Sequence, residues 1–256
     1  MLTEPVSILL LHAFPFDSRM WRDQVQALSP NVRVIAPDMR GFGRNHRSPL
    51  FESIDLHAKD IVAQLDQHQC VRALVVGLSM GGYVAMAMSR LFPHRVAGLL
   101  LANTRAEADS EEAKQQRNNM IRSVEQNGTA LLPNLMIHQL VSPNCPDSTR
   151  TLLRTIMLEQ HPLAVIAALK ALRDRPDARG GLRQVHCPTT VLASQLDPLS
   201  PPHVMQPIAD AIEQAEFRII PDAGHMSNLQ APAAFLQAIK DVYERVMQAS
   251  RNSEKS

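Results

Sequence analysis

Residues 71–83 read VRALVVGLSMGGY, and this stretch decides the fold. An apolar run leads into a Gly-x-Ser-x-Gly turn centred on Ser79, and a helical pattern begins at Met80. So tight a strand-to-helix turn strains the serine backbone, and its neighbours must lack bulk, a requirement that Gly77 and Gly81 meet. We predict that Ser79 Oγ stands above the sheet edge as a nucleophile, where the helix N-terminus stabilises developing negative charge. An ordinary Gly- and Ser-rich turn is the alternative, so the prediction depends on finding partners for Ser79.

Two later strand-like runs end close to a carboxylate and a histidine. Residues 189–194 lead to Asp197, and residues 217–221 lead to His225. The three residues occur along the chain in the order Ser79, Asp197, His225. The histidine is predicted to take the proton of the serine hydroxyl. The aspartate is predicted to orient the imidazole and to stabilise its charged form.

Two other side chains are candidates for the role of the acid. Asp222 is the obvious rival, although a residue so near His225 on the same loop can hardly reach behind its ring. Asn103 ends another strand-like run, but an amide cannot carry the charge. Asp197 is therefore the predicted acid.

Several short motifs are distributed along the chain, two of them directly after the first two strand-like runs. They are His12-Ala13-Phe14-Pro15, Asp38-Met39-Arg40-Gly41-Phe42-Gly43, Gly77 to Gly82, Asp197-Pro198 and Gly224-His225. Together they resemble the motifs of the α/β-hydrolase superfamily, in its small-esterase and oxoadipate enol-lactonase-like branch. The motifs span nearly the whole chain, so the resemblance implies the fold and the serine hydrolase chemistry of that branch.

The resemblance also implies an oxyanion hole formed by the backbone N–H groups of Phe14 and Met80. His12 lies on the same loop as Phe14, and we expect it to support the loop through a hydrogen bond rather than to transfer protons. Ala13 departs from the family, which usually has glycine there, so a positive φ would strain the loop. Only five residues precede the first strand-like run, and we expect a sheet without the two antiparallel strands that usually begin the family.

Strand-like and helix-like runs alternate along most of the chain. Strands are predicted near residues 6–11, 32–37, 71–76, 97–102, 189–194 and 217–221, and helices near 18–28, 53–67, 80–91, 203–213 and 231–248. The alternation predicts an α/β fold with about six mainly parallel strands and helices on both faces, which the resemblance makes the α/β-hydrolase fold.

One long segment interrupts this alternation. Residues 104–183 contain no strand-like run and are predicted to form a helical cap over Ser79, with ordinary packing helices as the alternative. The predicted domains are a core of residues 1–103 and 184–249, the cap, and a disordered tail of residues 250–256 that lacks apolar side chains.

The composition is that of one enzyme-sized globular unit. With 256 residues, 45% of them hydrophobic, the chain can bury a sizeable core. A net charge of +1 gives no electrostatic footprint for nucleic acid or an anionic membrane. The chain has three cysteines, an odd number, so we expect no disulfide framework. Its histidines lack the paired spacing of metal ligands, so we expect no metal, and we assign no cofactor. We expect a cytoplasmic protein that acts on a small-molecule ester or lactone, with its oligomeric state left open.

The composition of the cap bears on the substrate. No Phe, Tyr or Trp lies between Pro93 and Glu216, whereas Leu, Ile, Ala and Met are plentiful, so a pocket roofed by this segment would be aliphatic and pliable. The cap also carries arginines that could bind a substrate carboxylate or could form solvated helix faces. They include Arg105, Arg117, Arg122, Arg150, Arg154, Arg173 and Arg175.

Three functions compete at this point. The first is a serine esterase or lactonase that cleaves a small carboxylic ester through an acyl-enzyme on Ser79. The second is a carbon–carbon bond hydrolase or a cofactor-free perhydrolase with the same three residues. The third is a non-enzymatic partner-binding protein on this fold, since a fold does not fix a function. The complete set of Ser79, Asp197 and His225 favours the first.

Overall fold

A single parallel sheet forms the centre of the computed structural model, which describes residues 6–45 and 49–253. The strand order is β2-β1-β3-β4-β5-β6, and every neighbouring pair is parallel. The strands are β1 (Ser7–Leu11), β2 (Val34–Ile35), β3 (Ala73–Leu78), β4 (Val96–Ala102), β5 (Thr189–Ser194) and β6 (Glu216–Ile220). The predicted six-stranded parallel sheet is therefore confirmed, while residues 1–5 of the predicted core lie outside the described residues.

Helices cover both faces of this sheet. Every residue of β1, β3, β4 and β5 is buried, as expected for parallel strands with helices on either side. The edge strand β6 buries only Ile220. The helices are α1 (Arg22–Leu28), α2 (Ile54–Gln67), α3 (Met80–Leu91), α4 (Glu111–Asn127), α5 (Leu132–Leu140), α6 (Asp147–Glu159), α7 (Pro162–Arg173), α8 (Arg179–Leu182), α9 (Pro202–Ala211), α10 (Ser227–Gln230) and α11 (Pro232–Ser253).

The parallel arrangement gathers the chemistry-bearing residues at one edge of the sheet. Because all strands run the same way, their carboxyl ends lie along that edge. His12 follows β1, Ser79 follows β3 and Asn103 follows β4. The loops that carry Asp197 and His225 leave β5 and β6 at the same edge.

The chain between β4 and β5 forms five helices, α4 to α8, and no strand, as predicted for residues 104–183. Helix α4 ends at Asn127 and is followed by Gly128, whose φ is +60°, and α7 begins at Pro162, which are the positions that glycine and proline favour at helix ends. The two glycines of residues 179–181 lie within the short helical turn α8. The division into core and cap domains stays a prediction.

The carboxyl-terminal helix is longer than predicted. Residues 250–253, which the sequence predicts to be part of a disordered tail, continue α11 to Ser253. The helix can continue because no Gly or Pro interrupts it, and the Ser250 hydroxyl donates to the Val246 carbonyl oxygen, 3.0 Å away, within the same helix. Residues 254–256 of the predicted tail lie outside the described residues.

A buried histidine on α2 makes folding sensitive to acid. His57 is 1% exposed. Burial lowers the pKa of His57 to about 4. The imidazole is therefore neutral in the folded state, whereas in the unfolded chain it accepts a proton near pH 6.5.

We predict that the stability from a neutral His57 is fully present above pH 6.5 and is lost as the pH falls from 6.5 to about 4. The loss amounts to about 3 kcal/mol of unfolding free energy. Urea unfolding of His57→Leu and wild type at a series of pH values measures it. The variant should have the shallower pH dependence, whereas His68→Leu, at an exposed site after α2, should match wild type. Equal slopes for His57→Leu and wild type would contradict the prediction.

Candidate active site

Ser79 lies in the turn between β3 and α3 and has a strained backbone. Its φ of 57° and ψ of −114° lie outside the regions that residues with a side chain ordinarily occupy. A Cβ on Gly81 would meet the carbonyl oxygen of Leu11 at 2.1 Å, and a Cβ on Gly77 would meet the carbonyl oxygen of Gly81 at 2.3 Å. Because neither position has room for a side chain, the Gly-x-Ser-x-Gly pattern follows from the close approach of α3 to β1.

Hydrogen bonds hold the strained turn in place. The Ser79 N–H donates to the carbonyl oxygen of Ala102 at 3.0 Å, which ties the turn to the end of β4. The Ser79 carbonyl oxygen accepts from Gly82 N at 2.9 Å and from Thr104 Oγ1 at 2.9 Å. The side chain of Ser79 is left half-buried and lines a cavity.

The predicted acid and base are in direct contact. Asp197 Oδ2 lies 2.8 Å from His225 Nδ1, and both residues are buried. A neutral imidazole that donates from Nδ1 to this carboxylate keeps Nε2 free to accept a proton. His225 lines the same cavity as Ser79, so the fold brings together the three residues predicted from the sequence.

The carboxylate of Asp197 is buried, and protein groups donate hydrogen bonds to both of its oxygens. Its Oδ2 also accepts from Ser200 Oγ at 2.5 Å and from Asn103 Nδ2 at 2.9 Å, and its Oδ1 accepts from Leu199 N at 2.8 Å. Burial alone would raise the pKa of Asp197, but the positive charge of His225 and the hydrogen bonds outweigh burial and hold this pKa well below its ordinary value. Asp197 therefore stays ionised at neutral pH.

Asn103 has a part in this site that the sequence analysis missed. It is fully buried, and besides Asp197 its Nδ2 donates to Ser194 Oγ at 2.9 Å, while its Oδ1 accepts from Ser227 Oγ at 2.6 Å. Its φ of 45° is left-handed, a conformation that asparagine tolerates better than most residues. The sequence excluded Asn103 as an acid, but its position at the end of β4 was a signal that it could contact one.

The rival acid lies elsewhere. Asp222 is exposed, with a φ of 55°, and its N–H donates to Gln195 Oε1 at 3.2 Å. His225 is paired with Asp197 instead.

The loop after β1 is held by His12. Its Nδ1 lies 3.0 Å from the carbonyl oxygen of Ala13, and its Nε2 accepts from Met39 N at 2.9 Å. Burial lowers the pKa of His12, which matches a neutral ring that bridges two loops. Both ring nitrogens are engaged, as expected of a supporting residue. Ala13 does not have a positive φ, so the alanine is accommodated without the strain considered above.

The two predicted oxyanion donors are placed at the site. Phe14 lines the cavity with Ser79 and His225. Met80 is the first residue of α3, where backbone N–H groups have no acceptor within the helix. Phe14 and Met80 therefore both lie near Ser79, and the use of their N–H groups as an oxyanion hole stays a prediction.

The cavity has a volume of about 510 Å³ and lies between the sheet edge and helices α4 and α5. Helix α5 contributes a mainly apolar wall that includes Leu135, Met136 and Leu140, in keeping with the predicted aliphatic roof. Helix α4 corrects that expectation, because the residues with which it lines the cavity are mostly polar. They are Ala113, Gln116, Arg117, Asn119, Met120 and Ser123.

The described residues contain neither a single helix that could span a membrane nor a cluster of metal-ligating side chains. No single helix there is long and apolar enough to cross a membrane, and α6 with α7 reaches that length only as a pair bent by 100°. In the same part of the chain, His, Cys, Asp and Glu side chains form no group of three or more that could hold a metal ion.

Comparisons with known proteins agree on one family. The family model for the alpha/beta hydrolase fold matches residues 6–232. Among curated proteins, 3-oxoadipate enol-lactonase 2 of Acinetobacter baylyi is 26% identical, over 88% of this chain and 84% of its own length. The pimeloyl-[acyl-carrier protein] methyl ester esterase of Edwardsiella ictaluri is 27% identical, over 91% of each chain. Among solved structures, a thermophilic esterase from Thermogutta terrifontis superposes with a TM-score of 0.90 at 36% identity, over 94% of this chain and 90% of that one.

The strain at Ser79 predicts an unusual order of stabilities. The free energy of unfolding of Ser79→Gly should be about 1 kcal/mol higher than that of Ser79→Ala, because glycine accepts this φ and ψ without strain. Ser89, in the last turn of α3, is the matched control, and there alanine should be the more stabilising residue. Denaturant unfolding of the four variants gives the comparison. Alanine being the better residue at both positions would show that the turn is unstrained.

Proposed function

The chain belongs to the α/β-hydrolase family, and from that premise we propose that it is a serine hydrolase that cleaves a small carboxylic ester or lactone. One observation carries the proposal. Ser79, on a strained strand-to-helix turn, shares a cavity with His225. The Nδ1 atom of His225 lies within hydrogen-bond distance of the ionised Asp197. Relatives named as an enol-lactonase and as esterases support the same class of substrate.

The proposed reaction begins with proton transfer from Ser79 Oγ to His225 Nε2 as the oxygen attacks the substrate carbonyl. The carbonyl oxygen becomes an oxyanion, which the N–H groups of Phe14 and Met80 and the N-terminus of α3 stabilise. Asp197 stabilises the imidazolium that forms. When the intermediate collapses, the bond to the leaving oxygen breaks, His225 returns the proton to that oxygen, and the acyl group remains on Ser79.

Water completes the cycle. His225 takes a proton from a water molecule, whose oxygen attacks the acyl carbonyl and forms a second oxyanion. Collapse breaks the ester bond to Ser79, the proton passes back to Ser79 Oγ, and the carboxylic acid leaves. For a lactone, the alcohol and the acid are parts of one product.

Cellular location is part of the proposal. The three cysteines, Cys70, Cys145 and Cys187, are all unpaired. Free thiols are usual in a reducing compartment, which supports a cytoplasmic enzyme.

A substrate panel tests the reaction class. Aryl and alkyl esters of increasing chain length and a set of lactones should be hydrolysed without a cofactor. The perhydrolase alternative predicts instead that acetic acid with hydrogen peroxide is the better substrate pair, and the carbon–carbon hydrolase alternative predicts turnover of a diketone. Turnover of neither esters nor lactones would overturn the proposal.

Variants of the three residues test the mechanism. Ser79→Ala should abolish ester hydrolysis, and Asp197→Asn should lower kcat by about 10⁴-fold, because the imidazole loses its orienting charge. Asp222→Asn, at an exposed site on the same loop as His225, is the control and should stay close to wild type. Ser79→Ala activity within tenfold of wild type, or a larger loss in Asp222→Asn than in Asp197→Asn, would refute the assignment.

Asn103 is expected to act through Asp197 as a positioning residue. Asn103→Ala removes a hydrogen bond to a buried carboxylate and should lower kcat by about 10- to 100-fold. The KM for a small ester should hardly change, because the interaction serves the charged imidazole in the transition state. Steady-state kinetics separate the two constants, and a rise in KM with kcat unchanged would show that Asn103 serves substrate binding instead.

A further inference from the structure

Arg105 differs from the other arginines of the predicted cap. In residues 104–183, only Arg105 and Arg117 line the cavity that holds Ser79 and His225. The others do not line this cavity, and most of them donate to partners of their own. Arg122 donates to Asn119, Arg150 to the carbonyl oxygens of Ser142 and Pro143, Arg154 to Asn134, Arg173 to Asp174, Arg175 to Asp109 and Arg179 to Asp177.

Arg105 has no acceptor of its own. Among the described residues it forms no hydrogen bond and no ion pair, and its Nε is buried without a partner. Glu107, two positions along the chain, is described by the structure and makes no ion pair with Arg105. A buried guanidinium N–H that lacks an acceptor loses its hydration without compensation, so such a group at a cavity wall is suited to a ligand that supplies the acceptor.

The charges around the cavity leave Arg105 uncompensated. Asp109 is the acidic residue of the wall, and it already accepts from Arg117, with Nε 3.2 Å from Oδ2, and from the buried Arg175. The Arg175 guanidinium also lies 4.3 Å from the ring centre of Tyr83, another wall residue. One carboxylate thus serves two guanidinium groups, and the wall has a net positive charge.

We propose that Arg105 binds a carboxylate that the substrate carries in addition to its scissile ester. This inference rests on the proposed function and narrows it to monoesters or other monoacyl derivatives of dicarboxylic acids. A guanidinium offers two parallel N–H groups that match the two oxygens of a carboxylate. A phosphate dianion would call for a second unpaired cation, and Arg117 is paired. The polar side chains of α4 lie on the same wall, while the apolar wall of α5 suits the methylene chain between the two carbonyl groups.

Binding to a protein that cannot turn over separates this inference from the reaction. Monomethyl glutarate and dimethyl glutarate have nearly the same size and differ by one charge. Calorimetric titration of the full-length Ser79→Ala protein should give a lower Kd for the monoester. Adding Arg105→Met should raise the Kd of the monoester by about 10- to 100-fold and leave that of the diester within about twofold, since only the charge-assisted hydrogen bonds are lost.

Two further variants make the result specific. Arg105→Lys keeps the charge without the planar fork and should give an intermediate Kd for the monoester. Arg122→Met, at an exposed site on α4, should leave both Kd values unchanged. Unchanged diester binding in Arg105→Met shows that the variant is folded. Equal affinity of the Ser79→Ala protein for both esters, an equal loss for both in Arg105→Met, or tighter binding of a methyl phosphate ester than of the monoester would overturn the inference. Failure of the proposed function would instead appear as wild-type protein that binds the monoester but does not hydrolyse it.

Discussion

The close approach of α3 to the end of β1 is the constraint on which the rest of the site depends. Gly81 lies so near the Leu11 carbonyl oxygen that it has no room for a Cβ, and Ser79 must adopt a positive φ to pass from β3 into α3. The cost of that strain is met by the hydrogen bonds of the turn and by the buried strands on either side. In return, the serine side chain leaves the sheet edge beside the N-terminus of a helix, where negative charge is stabilised.

A second layer of buried polar contacts completes the arrangement. Asp197 would be destabilising in the interior without partners, but His225, Asn103, Ser200 and a backbone N–H together satisfy it. The network joins loops that leave β4, β5 and β6, so the acid is fixed by the sheet and not by its own loop. Asp222 is exposed and is not part of this network, so closeness to His225 in the chain does not identify the carboxylate that contacts His225.

Local signals explain what the sequence could predict. The six strands and the start of α3 at Met80 follow from apolar runs and from glycines at a tight turn, which depend on few neighbours. The contacts of Asn103 depend on β4 and β5 being adjacent although a long helical segment separates them in the chain, so no local pattern revealed them. The polar face that α4 turns to the cavity depends in the same way on how the helices dock. Composition showed an aromatic-free, Met-rich segment, but it could not show which side chains would line the cavity, nor that Arg105 would lack a partner there.

The central claim is that Ser79 carries the acyl group during turnover. The most direct measurement is rapid acid quench of the enzyme with an activated ester during the first turnover, followed by tryptic digestion and mass spectrometry. Cleavage after Arg72 and Arg90 releases a peptide of residues 73–90 that contains Ser79. The account predicts that this peptide gains the mass of the acyl group, that fragmentation locates the added mass on Ser79, and that His225→Ala protein shows little of it. Hydrolysis at the normal rate with residues 73–90 unmodified, or with the acyl group on another residue, would contradict the account.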